Sequence, residues 1–238
     1  MQLCIDVGNT RIKAACFENR ELIQFWAVQK EDWAQLLEEF TKFRFTKYIY
    51  SSVSLELPKL KAFLNTIAEE TLWSYQSVPV PILYNTPATL GRDRIAAACA
   101  VQSEFKQYNT LVINLGSCIT TDLIVAAEGF LGGNIAPGLR MRARAMHEFT
   151  SKLPLLEEFG SPDSLFGLST EEAMQNGVIR GICAEIQYYF ATANTKYDPL
   201  ICVLTGGDAN FFADLINLKT FVRPYLVLQG LNEILLHS

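Results

Sequence analysis

QLCIDVGNTRIKAACF, at residues 2–17, is the stretch that decides the fold. Its first apolar run ends in Asp6-Val7-Gly8-Asn9, and apolar character resumes in TRIKAACF at 10–17. Two short apolar runs separated by a glycine predict two strands joined by a turn. A third strand, ELIQFWAV at 21–28, follows the second after a short polar turn.

The second half of the chain opens in the same order. TLVINL at 110–115 predicts a strand, Gly116-Ser117 a turn, and residues 119–126 a second strand. Aligning Asp6-Val7-Gly8-Asn9 with Asn114-Leu115-Gly116-Ser117 gives an internal repeat of strand, glycine turn and strand. We therefore predict two lobes of related fold.

The segments between these repeats alternate in pattern. The expected elements of the first half are a helix at 31–43, a strand at 47–53, a helix at 57–68, a short strand at 71–75 and an alanine-rich helix at 92–105. Alternating strands and helices favour an α/β fold with a central mixed sheet and flanking helices. The lobes are predicted to span residues 1–107 and 108–238.

Composition excludes several classes of protein. Half of the 238 residues are hydrophobic, which suffices for a sizeable core, and the net charge of -5 disfavours a nucleic-acid partner. The six cysteines are scattered and the two histidines are isolated, so neither a disulfide framework nor a histidine metal centre is expected. We find neither a secretory signal nor a membrane-length apolar run, and we expect a cytoplasmic protein without a membrane partner.

The first glycine turn is a candidate phosphate site. The chain has neither Gly-x-x-x-x-Gly-Lys-Ser/Thr nor Gly-x-Gly-x-x-Gly, so a nucleotide must be held in another way. Backbone amides of the turn can line a phosphate, Asp6 can hold Mg²⁺ through water, and Asn9, Thr10 and Lys13 can reach phosphate oxygens. The alternative is an ordinary hairpin with an Asx turn.

Two further glycine turns suit the same ligand. Asn114-Leu115-Gly116-Ser117, with Thr120, Thr121 and Asp122 beyond it, can face the first turn across a cleft. Leu204-Thr205-Gly206-Gly207-Asp208 precedes a helix and suits adenosine or ribose through close backbone approach.

The segment YNTPATLGRDR at 84–94 is a candidate acceptor site. Asp93 lies between Arg92 and Arg94 at the start of a helix, where the positive helix end and two guanidiniums predict an ionised carboxylate. Such a group suits a base for a substrate hydroxyl, and Arg94 suits a substrate carboxylate. The alternative is a salt-bridged helix start without chemistry.

Five motifs together resemble one family. They are DVGNTRIK at 6–13, YNTPATLGRDR at 84–94, GGNIAPGL at 132–139, STEEAMQNG at 169–177 and LTGGDA at 204–209. In this order they resemble the type III pantothenate kinase family, of the acetate kinase/Hsp70/actin superfamily. The resemblance implies duplicated ribonuclease-H-like (actin/hexokinase-like) lobes. It also implies transfer of the ATP γ-phosphate to pantothenate to give 4'-phosphopantothenate, the first step of coenzyme A biosynthesis.

The resemblance also implies roles for single residues. ATP contacts are implied for Asp6, Val7, Gly8, Asn9, Thr10, Arg11, Ile12, Lys13 and Ser117. Pantothenate contacts are implied for Tyr84, Gly91, Arg92, Asp93, Arg94 and Thr170, with Asp93 as the proton acceptor. The family is typically homodimeric and uses Mg²⁺ and commonly K⁺ or NH₄⁺.

The chain departs from this family pattern at Asn114. The family usually has an aspartate there, which binds the monovalent cation, and an amide oxygen brings no negative charge. Two hypotheses follow, a kinase with altered ion dependence or a nucleotide-binding regulator that has lost catalysis. Retention of Asp6, Lys13 and Asp93 favours the kinase.

Overall fold

The computed structural model describes residues 1–52 and 57–238, which form two compact units. The first unit comprises Met1–Gln107, Ile124–Gly132 and Tyr225–Ser238, and the second comprises Tyr108–Leu123 and Gly133–Pro224. The simpler division of the sequence at 107/108 into two lobes stays a prediction.

Each half of the chain contributes a five-stranded sheet. The first contains β1 (Gln2–Val7), β2 (Arg11–Glu18), β3 (Glu21–Gln29), β4 (Lys47–Ser52) and β5 (Glu69–Glu70) in the order β3-β2-β1-β4-β5. The second contains β6 (Asn109–Leu115), β7 (Cys118–Val125), β8 (Gly129–Pro137), β9 (Leu200–Thr205) and β10 (Thr220–Val222) in the order β10-β9-β6-β7-β8. When β1 to β5 are matched in turn with β6 to β10, the two sheets have the same strand order, read from opposite edges. This agreement confirms the predicted duplication.

The first sheet is mixed, as the sequence predicts. β1 pairs antiparallel with β2 and parallel with β4, so its two edges follow different hydrogen-bond patterns. In the second sheet β6 and β10 both run parallel to β9. Parallel β1 and β4 end at the same edge of their sheet, which places Asp6 directly beside Ser51.

Seven helices flank the sheets in the described part of the chain. They are α1 (Gln35–Thr41), α2 (Pro58–Ile67), α3 (Arg92–Glu104), α4 (Leu139–Phe149), α5 (Thr170–Asn194), α6 (Ala209–Ala213) and α7 (Leu226–Leu236). None of them is long and apolar enough to cross a membrane. α1, α2, α3 and α7 belong to the first unit, and the others to the second.

Two predicted elements differ from the structure. The single helix predicted at 31–43 is a 3₁₀ turn at Lys30–Asp32 followed by α1, whose N-cap Ala34 offers no side chain to the first amides. The strand predicted at 71–75 is wrong, because the short strand β5 ends at Glu70 and Trp73 is buried, with its indole N–H donating to the Tyr50 carbonyl (3.2 Å). The last residue of the strand predicted at 47–53, Val53, lies outside the described residues.

A close helix crossing supports the start of α3. A Cβ added at Gly230 in α7 would collide with the carbonyl of Ala96 in α3. The Arg20 guanidinium also forms two hydrogen bonds to Glu233 of α7 (2.7 and 2.9 Å). α7 is thereby fixed against both α3 and the β2–β3 turn.

Candidate active site

Asp6 lies at the end of β1, where the first unit gathers several polar groups. Its register partners are Lys13 on β2 and Ser51 on β4. The Asp6 Oδ1 atom is buried and has no hydrogen-bond partner in the part of the chain that the structure describes. An unpartnered buried oxygen is costly unless a ligand or water binds it.

The environment of Asp6 opposes its ionisation. Burial, followed by the charge of Asp93, raises its pKa to about 7, although Lys13 and the Ser51 hydroxyl act in the opposite direction. Because the charge of Asp93 affects Asp6, the structure brings these two predicted site residues together in one unit.

The turn after Asp6 is tight and partly exposed. The Gly8 amide donates to the Arg11 carbonyl (3.0 Å), while Asn9, Thr10 and Arg11 lie exposed. The side chains of Val7 and Ile12, by contrast, are fully buried in the core of the first unit. Any contact of these two residues with a nucleotide is therefore restricted to their backbone.

Asp93 occupies the first turn of α3. A Cβ at Gly91, the N-cap residue, would lie 2.6 Å from Asp93 Oδ1, so a glycine leaves room for this carboxylate. Burial raises the pKa of Asp93, against the lowering effects of the Arg94 and Asp93 amides and of the Arg94 charge. The prediction that Asp93 is ionised stays a prediction, and burial, which the sequence reasoning did not include, is the largest influence on its pKa.

The two arginines beside Asp93 are held by aromatic rings. Arg94 is only 5% exposed. Its Cζ lies 5.8 Å from the ring centroid of Tyr84 and 5.5 Å from the ring centroid of Phe130. Arg92 instead lies over the ring of Trp73, with its Cζ 5.1 Å from the centroid. Tyr84 and residues 91–94 therefore lie in the first unit with Asp6.

The second unit brings together three turns at the end of β6. Gly206 has a φ of +98° and lies against the Leu115 carbonyl. A Cβ added at Gly206 would lie 2.7 Å from Asn114 Oδ1. The Asp208 amide donates to the same Leu115 carbonyl (3.1 Å). Asn114 and the Gly206 turn thus form one cluster.

Gly138 adds a contact that the sequence reasoning missed. Its amide donates to the Ser117 carbonyl (3.0 Å), and an added Cβ would lie 2.6 Å from the same oxygen. The Pro137-Gly138 pair was the available signal, because such pairs mark sharp turns. Thr170 is exposed at the first position of α5, also in the second unit.

The sequence of the chain is similar to those of a known protein family. Residues 2–192 match the family model of type III pantothenate kinase. A type III pantothenate kinase of Bacteroides fragilis is 38% identical over 238 residues, covering 99% of this chain and 97% of that protein. One of Porphyromonas gingivalis is 37% identical over 236 residues, covering 98% of this chain and 97% of that protein.

The fold is also similar to those of solved structures. A Baf family protein of Campylobacter jejuni has a TM-score of 0.62 at 23% identity, covering 98% of this chain and 96% of that one. The activator of 2-hydroxyisocaproyl-CoA dehydratase from Clostridium difficile, with bound ADPNP, has a TM-score of 0.56 at 10% identity, covering 99% of this chain and 95% of that one. These similarities, with the repeated strand order, show a duplicated ribonuclease-H-like α/β fold.

Proposed function

The chain belongs to the type III pantothenate kinase family, and from that premise we propose that its paired carboxylates, Asp6 and Asp93, carry out the family reaction. The protein transfers the γ-phosphoryl group of ATP to pantothenate, giving 4'-phosphopantothenate. The observation that carries the assignment of roles is the buried Oδ1 of Asp6, which has no hydrogen-bond partner among residues 1–52 and 57–238 and lies at the end of β1 beside Lys13 and Ser51.

Asp93 is the proton acceptor in this proposal. The primary hydroxyl oxygen of pantothenate bonds to the γ-phosphorus as the bond from phosphorus to the ADP oxygen breaks, and the hydroxyl proton passes to Asp93. A pKa raised by burial makes Asp93 a stronger base than an exposed aspartate. Most of the remaining catalysis in phosphoryl transfer comes from positioning and charge stabilisation.

Asp6 and the glycine turns hold the nucleotide. The buried Asp6 Oδ1, which lacks a hydrogen-bond partner in the described part of the chain, fits a ligand of Mg²⁺ or a partner of a water bound to Mg²⁺, and Lys13 fits a phosphate oxygen. Mg²⁺ bound with ATP neutralises charge on the phosphates. Ser117 and the Gly206 turn supply backbone groups for the nucleotide from the second unit.

Asn114 supports a weaker dependence of the kinase activity on a monovalent cation than an aspartate at this position would give. Its Oδ1 remains directed at the Gly206 turn, so it can still serve as a neutral oxygen ligand. A neutral ligand binds K⁺ with less electrostatic attraction than a carboxylate does.

A homodimer is proposed through an apolar surface of the second unit. We define the α5 surface as five exposed apolar residues of the second unit: Phe149 at the end of α4, Leu165, Phe166 and Leu168 in the segment before α5, and Tyr188 on α5. Large apolar side chains that a fold leaves exposed are candidates for burial in an interface. Among the described residues, a Cβ at Gly177 on α5 would meet nothing within 4 Å, so a second copy can approach this helix closely.

The setting of the reaction is proposed to be the cytoplasm. All six cysteines are free thiols, which suits a reducing compartment. A net charge of -5 gives no support for a nucleic-acid partner.

ADP release by the purified protein tests the function. The assay contains ATP and Mg²⁺, with or without pantothenate, and each condition is repeated with and without K⁺ or NH₄⁺. We expect ADP release that depends on pantothenate and only weakly on the monovalent cation. ATP binding without pantothenate-dependent turnover in any condition would contradict the kinase and favour the regulator.

A further inference from the structure

The turn at Gly116-Ser117, which we call the phosphate turn, is held on two sides by backbone of the second unit. On one side the Asp208 amide donates to the Leu115 carbonyl (3.1 Å). On the other side the Gly138 amide donates to the Ser117 carbonyl (3.0 Å), and a Cβ added at Gly138 would lie 2.2 Å from the Gly116 carbonyl oxygen. The shape of the phosphate turn therefore depends on where Gly138 lies.

Gly138 lies at a junction that its own residues cannot hold with side chains. β8 ends at Pro137 and α4 begins at Leu139, so Gly138 is the N-cap residue of the helix. A glycine has no side chain with which to cap the first amides of a helix, and a proline has no amide hydrogen to donate. A side-chain hydrogen bond that holds this junction has to come from another residue.

Arg142, in the first turns of α4, supplies that hydrogen bond. Its Nε donates to the Pro137 carbonyl (2.7 Å), and its backbone amide donates to the Gly138 carbonyl (2.9 Å). One residue thus binds both carbonyls of the junction, and it binds the first with a charged donor. Hydrogen bonds from charged donors are roughly twice as strong as those between neutral groups.

Glu185 on α5 fixes the other side of the Arg142 guanidinium. Arg142 Nη2 donates to Glu185 Oε2 (2.5 Å), and the two side chains are only 22% and 26% exposed. A planar guanidinium can direct Nε to one acceptor and Nη2 to another at the same time. A Cβ added at Gly181, one helical turn before Glu185, would lie 4.0 Å from Arg142 Nη1, so the guanidinium lies along this face of α5.

The neighbouring Arg144 differs from Arg142 in what it binds. Arg144 forms an ion pair with Glu148 on its own helix (2.6 Å), and these side chains are 72% and 47% exposed. Exposed ion pairs between residues four apart on a helix contribute little to stability. Arg144 therefore offers a matched loss of charge on α4 that leaves the Pro137-Gly138 junction intact.

We propose that Arg142 is a positioning residue for nucleotide binding. It fixes the Pro137-Gly138 junction and, through the Gly138 amide, the phosphate turn, while Glu185 fixes Arg142. Arg142 acts through the backbone of the turn and not by touching the nucleotide. This inference rests on the proposed function, in which the phosphate turn supplies backbone groups for ATP.

The test compares Arg142→Gln and Glu185→Gln with the wild type and with Arg144→Gln. Affinity for a non-hydrolysable ATP analogue with Mg²⁺ is measured by calorimetry, which needs no turnover. Steady-state kinetics give kcat and the separate KM values for ATP and pantothenate. Urea denaturation measures how stable each variant is.

We expect Arg142→Gln to raise the Kd of the ATP analogue and the KM for ATP by roughly tenfold and to leave the KM for pantothenate unchanged. Glu185→Gln should raise the same two constants several-fold, because its amide oxygen still accepts a hydrogen bond but lacks the charge. Nucleotide affinity equal to that of Arg144→Gln would overturn the proposal. Equal rises in the KM values for ATP and pantothenate would also overturn it, because they would indicate general damage to the fold. Should Arg142→Gln fail to fold, Glu185→Gln decides by the same criteria.

The double variant Arg142→Gln/Glu185→Gln tests whether Glu185 acts through Arg142. We expect its nucleotide affinity to equal that of Arg142→Gln alone, because residues in one chain of contacts do not contribute additively. Additive losses would overturn the role of Glu185. A wild type that binds the ATP analogue without turning over pantothenate would contradict the proposed kinase, while an affinity that depends on Arg142 would still support its positioning role.

Discussion

Asp6 and Asp93 show how burial sets the chemistry of single residues. Both carboxylates have a raised pKa, and in both the largest cause is burial. The charge of Asp93 raises the pKa of Asp6 further, whereas the amides at the start of α3 lower the pKa of Asp93. Two carboxylates whose pKa values are set by different surroundings are expected to take different roles. Asp6 is expected to bind Mg²⁺, and Asp93 is expected to act as the base.

Replacement of Asp93 tests its role as the base. Asp93→Asn keeps the shape of the side chain but cannot accept the hydroxyl proton. We expect kcat to fall by about 10²- to 10⁴-fold while ATP affinity stays near the wild-type value. Steady-state kinetics and nucleotide titration check this, with Asp32→Asn, at an exposed site of the same unit, as the control. Near wild-type turnover would remove Asp93 from this role.

The raised pKa of Asp6 predicts how stability depends on pH. Without ligand, the folded state holds the Asp6 proton up to a pKa of about 7, whereas the unfolded chain loses it near pH 4. Between these pH values the unfolded state binds fewer protons than the folded state, so the free energy of unfolding falls as pH rises. The destabilising effect of Asp6 is complete above pH 7.

Asp6→Asn removes this cost. We expect the variant without ligand to be more stable than the wild type at pH 8, by at most a few kcal/mol at about 1.4 kcal/mol per pKa unit. At pH 4 the two should be equally stable. Urea denaturation at both pH values measures the difference, and a stability gap that does not change with pH would refute the assigned cause.

At the scale of elements, the α3–α7 crossing determines where the base lies. Ala96, whose carbonyl faces Gly230, follows Asp93 by three residues in α3. We expect Gly230→Ala to destabilise the fold by about 1–3 kcal/mol, because a backbone carbonyl cannot move aside as a side chain can. Gly132→Ala in β8, where an added Cβ meets nothing within 4 Å among the described residues, should be close to neutral. Similar unfolding free energies for the two variants would contradict this explanation.

Local chemistry explains which elements the sequence predicts. The start of α5 was readable because Ser169 and Glu172 form a local cap, with the Glu172 amide donating to Ser169 Oγ (3.2 Å). The turns at Gly8 and Gly116 were readable from their repeat. No strand forms at 71–75, where the Trp73 indole donates to a carbonyl 23 residues away, and no local pattern encodes such a contact.

The candidate site divides in the same way. The pairing of Asp6 with Lys13 follows from a hairpin register that the glycine turn sets. The burial that raises the pKa of Asp93 is a property of the folded chain, which the flanking residues alone do not reveal. The contact of Gly138 with Ser117 and the stacking of Arg92 on Trp73 likewise required the folded chain.

At the scale of the whole molecule, the α5 surface bears on assembly. Phe166 and Leu168 are 77% and 94% exposed, so the folded chain by itself gains little from either side chain. In a two-fold symmetric dimer each substitution occurs twice across one interface. A charged replacement here should therefore weaken association much more than it affects folding.

The double variant Phe166→Glu/Leu168→Glu tests this interface. We expect its dimer dissociation constant to rise at least tenfold, because apolar burial is lost and like charges are brought together in both copies. Sedimentation velocity across a concentration series measures the change, and Ile23→Glu, at an exposed position of β3, is the matched control. An unchanged dissociation constant would place the interface elsewhere, and a monomeric wild type at micromolar concentration would refute the homodimer. Loss of pantothenate turnover together with dimerisation, while ATP binding persists, would further indicate that the acceptor site needs the second copy.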